Sequence, residues 1–360
     1  MTGEDRPSSL IAVQPAWTAL HSLHYQLLAN QQNMLEDARR TGAYHRGITH
    51  NPSDFAGKTV LDVGAGSGIL SLFAALAGAR KVYAVDENPT DCARLLVETN
   101  GFEGRIELIQ ARLDKLELDE RVDVIISEPW GFFLFHERMV EAFVIARDRF
   151  LKPGGRMFPG TAELSLAPFS DEELYQSRTA ALAFWTQSNF YGVDLSAMTS
   201  RAADELFSMP ALGAVLPETL LARPAVRTFD FERVPLADLA EIRLPFSFTL
   251  ERSAMVHGLA GWFSVAFEGT DERVVLTTAP DARSTHWSQL RFVLIEPIAV
   301  REGQKLEGTL TLRANSHSSY TVHFEAQLAG QGPIARQVFR LENYFPVDEP
   351  LSPSELTAGT

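Results

Sequence analysis

The sequence predicts an α/β domain followed by an all-β domain, and three observations predict it. A glycine-rich turn directly follows an apolar run. Strand-like and helical runs then alternate up to residue 150, and beyond Pro159 strand-like runs succeed one another with turns between them. Alternation of the first kind makes a doubly wound, mainly parallel sheet; strands joined by turns alone make an antiparallel barrel or sandwich.

In chain order, residues 17–45 read as helical, with Leu20, Leu23, Leu27, Leu28, Met34 and Leu35 as apolar positions. Strands are expected at 59–63, 81–86, 106–110 and 122–127, and helices at 69–77, 90–100 and 137–150. Lys152-Pro153-Gly154-Gly155 breaks the last helix. Further strands are expected at 162–169, 241–250, 259–267, 273–278, 289–300, 305–313, 320–328 and 335–341. Segment 172–210 is helix-prone and aromatic, with Phe184, Trp185, Phe190, Tyr191 and Phe207. The end, rich in Pro, Ser, Glu and Thr, reads as disordered. The expected division is N-terminal helices in 1–48, an α/β domain in 49–159, a β-barrel domain in 160–346 and a tail in 347–360.

With 360 residues the chain can bury two cores, and 45% hydrophobic with 22% charged residues is ordinary for a globular protein. The net charge of -14 argues against direct, broad contact with nucleic acid and suits a cationic partner. Cys92 is the single cysteine, so neither an internal disulfide nor a cysteine-based zinc cluster is available, and the nine histidines show no metal-binding spacing. The N-terminus lacks a secretory pattern, and no apolar run approaches the roughly 18 residues of a membrane helix. A soluble, intracellular protein, cytoplasmic or nuclear, is expected.

The sharpest motif is Val60-Leu61-Asp62-Val63-Gly64-Ala65-Gly66-Ser67-Gly68. Its glycines let backbone approach a ligand closely, and Asp86, 22 residues after Gly64, ends the next strand where a carboxylate can bind ribose hydroxyls. The GxGxG spacing favours S-adenosylmethionine over a nicotinamide dinucleotide. Asp114 can accept from an adenine amine, and Arg40 can clamp the methionyl carboxylate. A second motif, Glu128-Pro129-Trp130-Gly131-Phe132-Phe133-Leu134-Phe135-His136-Glu137, places two glutamates around an aromatic loop after the fourth strand. The glycine turn alone also fits a methyltransferase for small molecules or a catalytically silent scaffold.

Together with Thr285-His286-Trp287, this loop resembles that of the type I protein arginine methyltransferases, most of all their coactivator-associated branch. Gln31-Gln32-Asn33-Met34, Arg40-Thr41-Gly42, Tyr191-Gly192-Val193-Asp194-Leu195-Ser196 and Val256-His257-Gly258-Leu259-Ala260 carry the resemblance further, over residues 25–341. It implies a Rossmann-like S-adenosylmethionine-binding domain, N-terminal helices that cover the cofactor, and a β-barrel with a helical dimerisation arm at about 172–210. The chain reads as a catalytic core without that branch's additional terminal regions. Its implied products are S-adenosylhomocysteine and monomethylarginine, then asymmetric dimethylarginine, in a histone tail or RNA-binding protein.

The resemblance also implies roles. Glu128 and Glu137 hold the acceptor guanidinium, and Asp37 with His286 is a further catalytic pair. Tyr25, Gln31, Met34, Arg40, Asp62, Gly64, Gly66, Gly68, Asp86, Asp114 and Glu128 contact the cofactor. Met34, Met139 and Trp287 contact the acceptor. The sequence departs from the family pattern in five places. His21-Ser22-Leu23-His24-Tyr25 keeps only the last aromatic of a helical motif; Asp86 and Asp114 stand for longer glutamates; Trp130 replaces a methionine; Phe132 replaces a tyrosine.

Overall fold

The computed structural model describes Val13, residues 24–330, Gly332 and residues 335–342, with the backbone of Phe345–Pro346. Leu20, Leu23 and the 347–360 tail lie outside the described residues. The helical run expected up to residue 45 divides at Asp37. Helix α1 spans Leu28–Glu36 and α2 spans Ala38–Thr49. Asp37 has extended backbone, and its Oδ1 accepts the Arg39 and Arg40 amides at 3.0 Å each. It thereby satisfies two amides that a helix start leaves unpaired, which is why an aspartate stops one helix and starts the next. A one-turn helix, α3 (Pro52–Phe55), follows.

The α/β sheet has strands β1 (Thr59–Val63), β2 (Lys81–Asp86), β3 (Ile106–Gln110), β4 (Val122–Ser127) and β5 (Leu151–Phe158), in the order β3-β2-β1-β4-β5, all parallel. Helices α4 (Ile69–Leu76), α5 (Asp91–Thr99) and α6 (Met139–Phe150) connect them. All five residues of β1 are buried, as a central parallel strand requires. The chain runs outward from β1 to β3 and returns to β4 on the opposite side, so a crevice opens between the carboxyl ends of β1 and β4. Val63 pairs with Ser127, and Gly64 and Glu128 therefore leave the sheet side by side. Helix α6 ends at Phe150, just before Lys152-Pro153-Gly154-Gly155, and runs directly into β5. The four residues bulge within the strand, where Val122 pairs with Leu151 and Val124 with Arg156.

The second part is antiparallel. Strands β6 (Thr161–Phe169), β7 (Ala211–Gly213), β8 (Ala225–Asp230), β9 (Glu241–Thr249), β10 (Ala254–Glu268), β11 (Arg273–Thr277), β12 (Gln289–Val300), β13 (Lys305–Ala314), β14 (Tyr320–Leu328), β15 (Ala335–Arg340) and β16 (Phe345–Pro346) form two sheets, β16-β7-β12-β10-β6-β8 with β11 on β10, and β15-β14-β13-β9. These meet along β8–β9 and β12–β15 as a barrel. Inward residues alternate cleanly in β9, where Ile242, Leu244, Phe246 and Phe248 are buried. Strands β7, β8 and β16 were not expected: two are very short, and β8 is largely exposed. Helices α7 (Glu172–Ala183) and α8 (Thr199–Ser208) form the arm between β6 and β7.

One hydrophobic core runs through both parts, with Phe143 and Phe158 from the first and Phe231, Phe263 and Phe292 from the second. The β10–β11 turn is gripped from the other side. Asn51 donates to the Gly47 and Glu272 carbonyls and accepts from the Asp271 and Glu272 amides, while Asp54 accepts from Thr270. The Asn51 side chain is completely buried, and its carboxamide has all of its hydrogen-bonding capacity used. Asn51→Ala leaves four backbone groups without partners and should cost about 2–4 kcal/mol of stability. Calorimetry should show a clear fall in Tm, and an unchanged Tm would contradict this account of how the two parts are joined.

Candidate active site

A cavity of about 500 Å³ occupies the β1–β4 crevice, lined among others by Tyr25, Gln31, Met34, Arg40, Gly64, Gly66, Asp86, Glu128 and Met139. The sequence singles out these nine, about a third of the residues that line it. Gly64, Gly66 and Gly68 take φ of 73°, 52° and 79°, a left-handed backbone that glycine adopts at little cost. The Gly66 amide donates to Asp86 Oδ2 at 2.9 Å, and Asp86 Oδ1 accepts the Asn88 amide at 2.8 Å. Asp86 therefore fastens the glycine turn to β2 and keeps a lone pair on each oxygen for a further donor. Gln31 lies over Gly66, anchored through Nε2 to the Tyr25 carbonyl at 2.8 Å.

Two expected cofactor residues support the turn from outside the cavity. Gly68 packs against Ala93 of α5, where a Cβ would approach to 3.1 Å. Asp62 is wholly buried beneath the turn, with Oδ2 accepting the Ser71 hydroxyl at 2.6 Å and Oδ1 without a partner among the described residues. Burial, reinforced by the neighbouring Asp86, pushes its carboxyl up to about 7. Asp114 is placed elsewhere than expected. It is half exposed and accepts from Arg112 Nε at 3.0 Å, and Arg112 and Leu113, not Asp114, line the cavity mouth. The pull of the adjacent guanidinium explains the turn outward.

Glu128 stands at the inner end of the cavity with its side chain only 11% exposed. Arg40 Nη2 donates to its Oε2 at 3.0 Å, and Oε1 has no partner among the described residues. Burial raises the Glu128 pKa even though Arg40 and His286 oppose the shift. Arg40 also donates to the Met34 carbonyl at 3.3 Å. Glu137 accepts the Tyr25 hydroxyl at 2.8 Å on Oε2, and His136 Nδ1 lies 3.8 Å from its Oε1. Burial and both glutamates hold the Tyr25 phenol far up, so it remains a donor.

The loop between the glutamates is tightly wound. Phe133, Leu134, Glu137 and Arg138 all have φ between 55° and 74°, a region costing an L-residue roughly 1–2 kcal/mol. A Cβ at Gly131 would collide with the His136 carbonyl, and one at Gly261 on β10 would strike the Phe133 ring, so two glycines make room for the winding. Trp130 is 4% exposed, its indole set against Phe143 and Phe231. Its Nε1 donates to Tyr44 Oη at 2.8 Å, and Tyr44 donates to the Ser127 carbonyl at 2.9 Å.

Asp37 and His286 meet as anticipated, with Nδ1 2.8 Å from Oδ2 and the His286 amide donating to the same oxygen at 2.9 Å. Burial pushes the Asp37 carboxyl up, but these bonds and the Arg40 amide bring it down to about 2. Trp287, expected at the acceptor, is turned into the fold. It is 3% exposed and donates Nε1 to the Trp130 carbonyl at 2.8 Å, because a buried indole N–H needs a partner. Tyr44 and Arg138 were not anticipated. Tyr44 stands four residues after Arg40, hence on the same face of α2, which was a usable signal. Arg138 bonds to Glu141 and to the Asn315 carbonyl, for which the sequence offers none.

The Asp62 shift has a definite sign. Its folded value near 7 exceeds the unfolded value of about 3.9, so the folded protein holds this proton more tightly. The stabilisation is complete below about pH 4 and is lost as pH rises through 7. Without cofactor, the Tm of Asp62→Asn relative to the parent should rise from pH 5 to pH 8; a pH-independent difference would contradict the burial argument.

Comparison with known proteins agrees with this geometry. A family model described as the arginine methyltransferase oligomerization subdomain matches residues 160–331, and one described as ribosomal protein L11 methyltransferase (PrmA) matches residues 51–129. A probable histone-arginine methyltransferase of Oryza sativa subsp. indica is 47% identical over 313 residues, 86% of this chain and 59% of that protein. A histone-arginine methyltransferase of Drosophila ananassae is 43% identical over 323 residues, 89% of this chain and 61% of that protein. The chain spans about three fifths of the length of these relatives. Among solved structures, protein arginine methyltransferase 10 of Arabidopsis thaliana, described as uniquely open, has a TM-score of 0.80 and 32% identity, covering 88% of this chain and 99% of that one. The Trypanosoma brucei PRMT1 enzyme–prozyme heterotetramer with AdoHcy gives 0.79 and 33%, with the same coverage. A shared fold, at more than 30% identity over nearly the whole of two solved members, means that the chain belongs to the protein arginine methyltransferase family.

Proposed function

We propose that the protein transfers methyl groups from S-adenosylmethionine to the guanidinium of protein arginines. One observation carries the reading: a buried glutamate, Glu128, with one oxygen on Arg40 and the other without a partner among the described residues, borders a cavity that a glycine turn also lines. The unpartnered Oε1 calls for a cationic donor, and the turn with Asp86 suits a nucleoside. In this reading Gly64, Gly66 and Asp86 hold the nucleoside, and Arg40, whose Nε is also buried without a partner among the described residues, holds the methionyl carboxylate. S-adenosylmethionine supplies an electrophilic methyl group carried on a sulfonium.

The protein's own groups handle the acceptor. Sulfonium and guanidinium are both cations, and the reacting atoms must approach to roughly 3–3.5 Å. Glu128 and Glu137 offset that repulsion and fix the guanidinium by charge-assisted hydrogen bonds. Arginine stays protonated, with a pKa above about 12, until its nitrogen is attacked. The proton then leaves through Glu137 or through His286, which Asp37 orients. In the ligand-free protein Arg40 acts as the counter-charge of Glu128, a place the acceptor arginine shares once the cofactor engages Arg40.

The names of the relatives make histone tails the first acceptors to test. Met34 and Met139 both border the cavity, and Met139 Cε lies 3.5 Å from where a Cβ at Gly64 would stand. Adaptable methionines there leave room for an already methylated nitrogen, which favours asymmetric dimethylarginine. Trp130 packs its ring onto Phe143 and Phe231 and also borders the cavity, so its bulk bears on this outcome. Segment 172–210 exposes Phe184, Tyr191, Val193 and Met198, while α4 and α5 expose Leu76 and Leu95. Pairing of the arm with these helices in a second copy buries both sets and gives a two-fold homodimer.

Glu128→Gln and Glu137→Gln should each lower turnover on a glycine-arginine-rich or histone H3 peptide by at least about tenfold, given roughly 1.5–3 kcal/mol per charge-assisted bond. The same peptide, analysed by mass spectrometry, should show neutral loss of dimethylamine; loss of monomethylamine from a dimethylated residue would contradict the asymmetric product. Near-normal turnover in either variant would sink the acceptor assignment. Light scattering should return the mass of two chains, and a single-chain mass with full activity would rule out the dimer.

A further inference from the structure

Glu137 and Arg138 are consecutive, neither is glycine, and both hold left-handed backbone, with φ of 74° and 58°. Such a pair persists only where the surroundings fix it from several sides. Part of that fixing comes from the barrel. Ser318 Oγ donates to the Glu137 carbonyl at 2.9 Å, and Arg138 Nη1 donates to the Asn315 carbonyl at 2.7 Å. The rest is local: the Arg138 fork donates to Glu141 of α6 at 2.7 and 3.1 Å, and the Arg138 amide donates to the Phe135 carbonyl at 3.1 Å.

The turn 315–319, between β13 and β14, is itself stiffened. Asn315 Oδ1 accepts the His317 and Ser319 amides at 3.0 and 3.3 Å, and the Asn315 amide donates to the Ser319 carbonyl at 2.8 Å. Behind it stands Glu342, whose side chain is 7% exposed. Its Oε2 accepts Asn315 Nδ2 at 3.2 Å and its Oε1 lies 3.4 Å from His317 Nδ1. A continuous set of polar contacts therefore leads from a residue beyond β15, through the turn, to the backbone that carries the second glutamate.

We infer that the turn 315–319 is a positioning device for Glu137, with Ser318, Asn315, Arg138 and Glu342 as positioning residues for the acceptor. The inference rests on the reading that Glu137 holds the acceptor guanidinium. Ser318 and Arg138 fix the Cα of Glu137 and hence the arc its carboxylate can reach, while Tyr25 fixes the carboxylate itself. A displacement of about 1 Å at such a group can cost on the order of 100-fold in rate. None of the four positioning residues lines the cofactor cavity, so their effect should fall on the acceptor alone.

The test compares Ser318→Ala, Ser318→Gly, Glu342→Gln and Glu137→Gln in the full chain. Ser318 has φ of 57°, so glycine keeps the turn without strain while removing the hydroxyl. The expected result is a fall of about tenfold or more in kcat/KM for an arginine peptide in both Ser318 variants. A smaller fall is expected in Glu342→Gln, which still accepts from Asn315. Affinity for S-adenosylhomocysteine should stay within about twofold and Tm should hold, with Glu137→Gln the most impaired. Normal kcat/KM in the Ser318 and Glu342 variants beside an inactive Glu137→Gln overturns the positioning role and leaves the acceptor reading standing. Loss of cofactor affinity and Tm in step with activity also overturns it, because the turn would then be a general tie. An active Glu137→Gln removes the acceptor reading and this inference with it.

Discussion

A carboxylate as buried as Glu128 stays ionised only beside a positive charge, and the architecture around the crevice follows from meeting that constraint without closing the site. Arg40 supplies the charge from α2, and α2 is placed by Asp37, which caps it and pairs with His286 from the barrel. Tyr44, on the same face of α2, bonds to the Ser127 carbonyl one residue before Glu128 and receives the Trp130 indole. One helix thus provides the counter-charge, the cap that orients it and the hydroxyl that holds the loop. The other oxygen of Glu128 has no partner among the described residues.

The barrel is part of the same arrangement. Trp287 holds the Trp130 carbonyl, Ser318 and Asn315 hold the far end of the loop, and Gly261 leaves room for Phe133. Four left-handed non-glycine residues in a short loop would relax if the loop were free, so neither half of the chain maintains the two-glutamate geometry alone. The core shared by both halves, and the grip of Asn51 and Asp54 on the β10–β11 turn, keep the halves in register.

Much of this was legible in the sequence, for identifiable reasons. Strands β1 to β4 are short strand-like runs bounded by helices or turns, so their ends were readable to the residue, and the glycine turn with Asp86 was readable as a motif. The glutamate loop was readable as a motif. What was not legible depends on distant contacts: Tyr44 with a carbonyl 83 positions on, and Arg138 with one 177 positions on. Local chemistry misled at three places. Asp37 sits in a helical pattern yet caps a new helix, Asp114 is drawn outward by its neighbour Arg112, and Trp287 finds its partner in the loop backbone. Lys152-Pro153-Gly154-Gly155 carries every sign of a loop but lies within β5, because its flanking residues pair with β4.

The central claim is that two carboxylates select a planar, doubly hydrogen-bonding cation beside the methyl donor. An ammonium is a compact point charge that cannot bridge two carboxylates in that way. The most direct measurement is transfer of labelled methyl groups to a glycine-arginine-rich peptide and to its counterpart with every arginine replaced by lysine. Label should enter the arginine peptide and be absent from the lysine peptide. Equal labelling of both, or no labelling of either by protein that binds S-adenosylhomocysteine, would contradict the account.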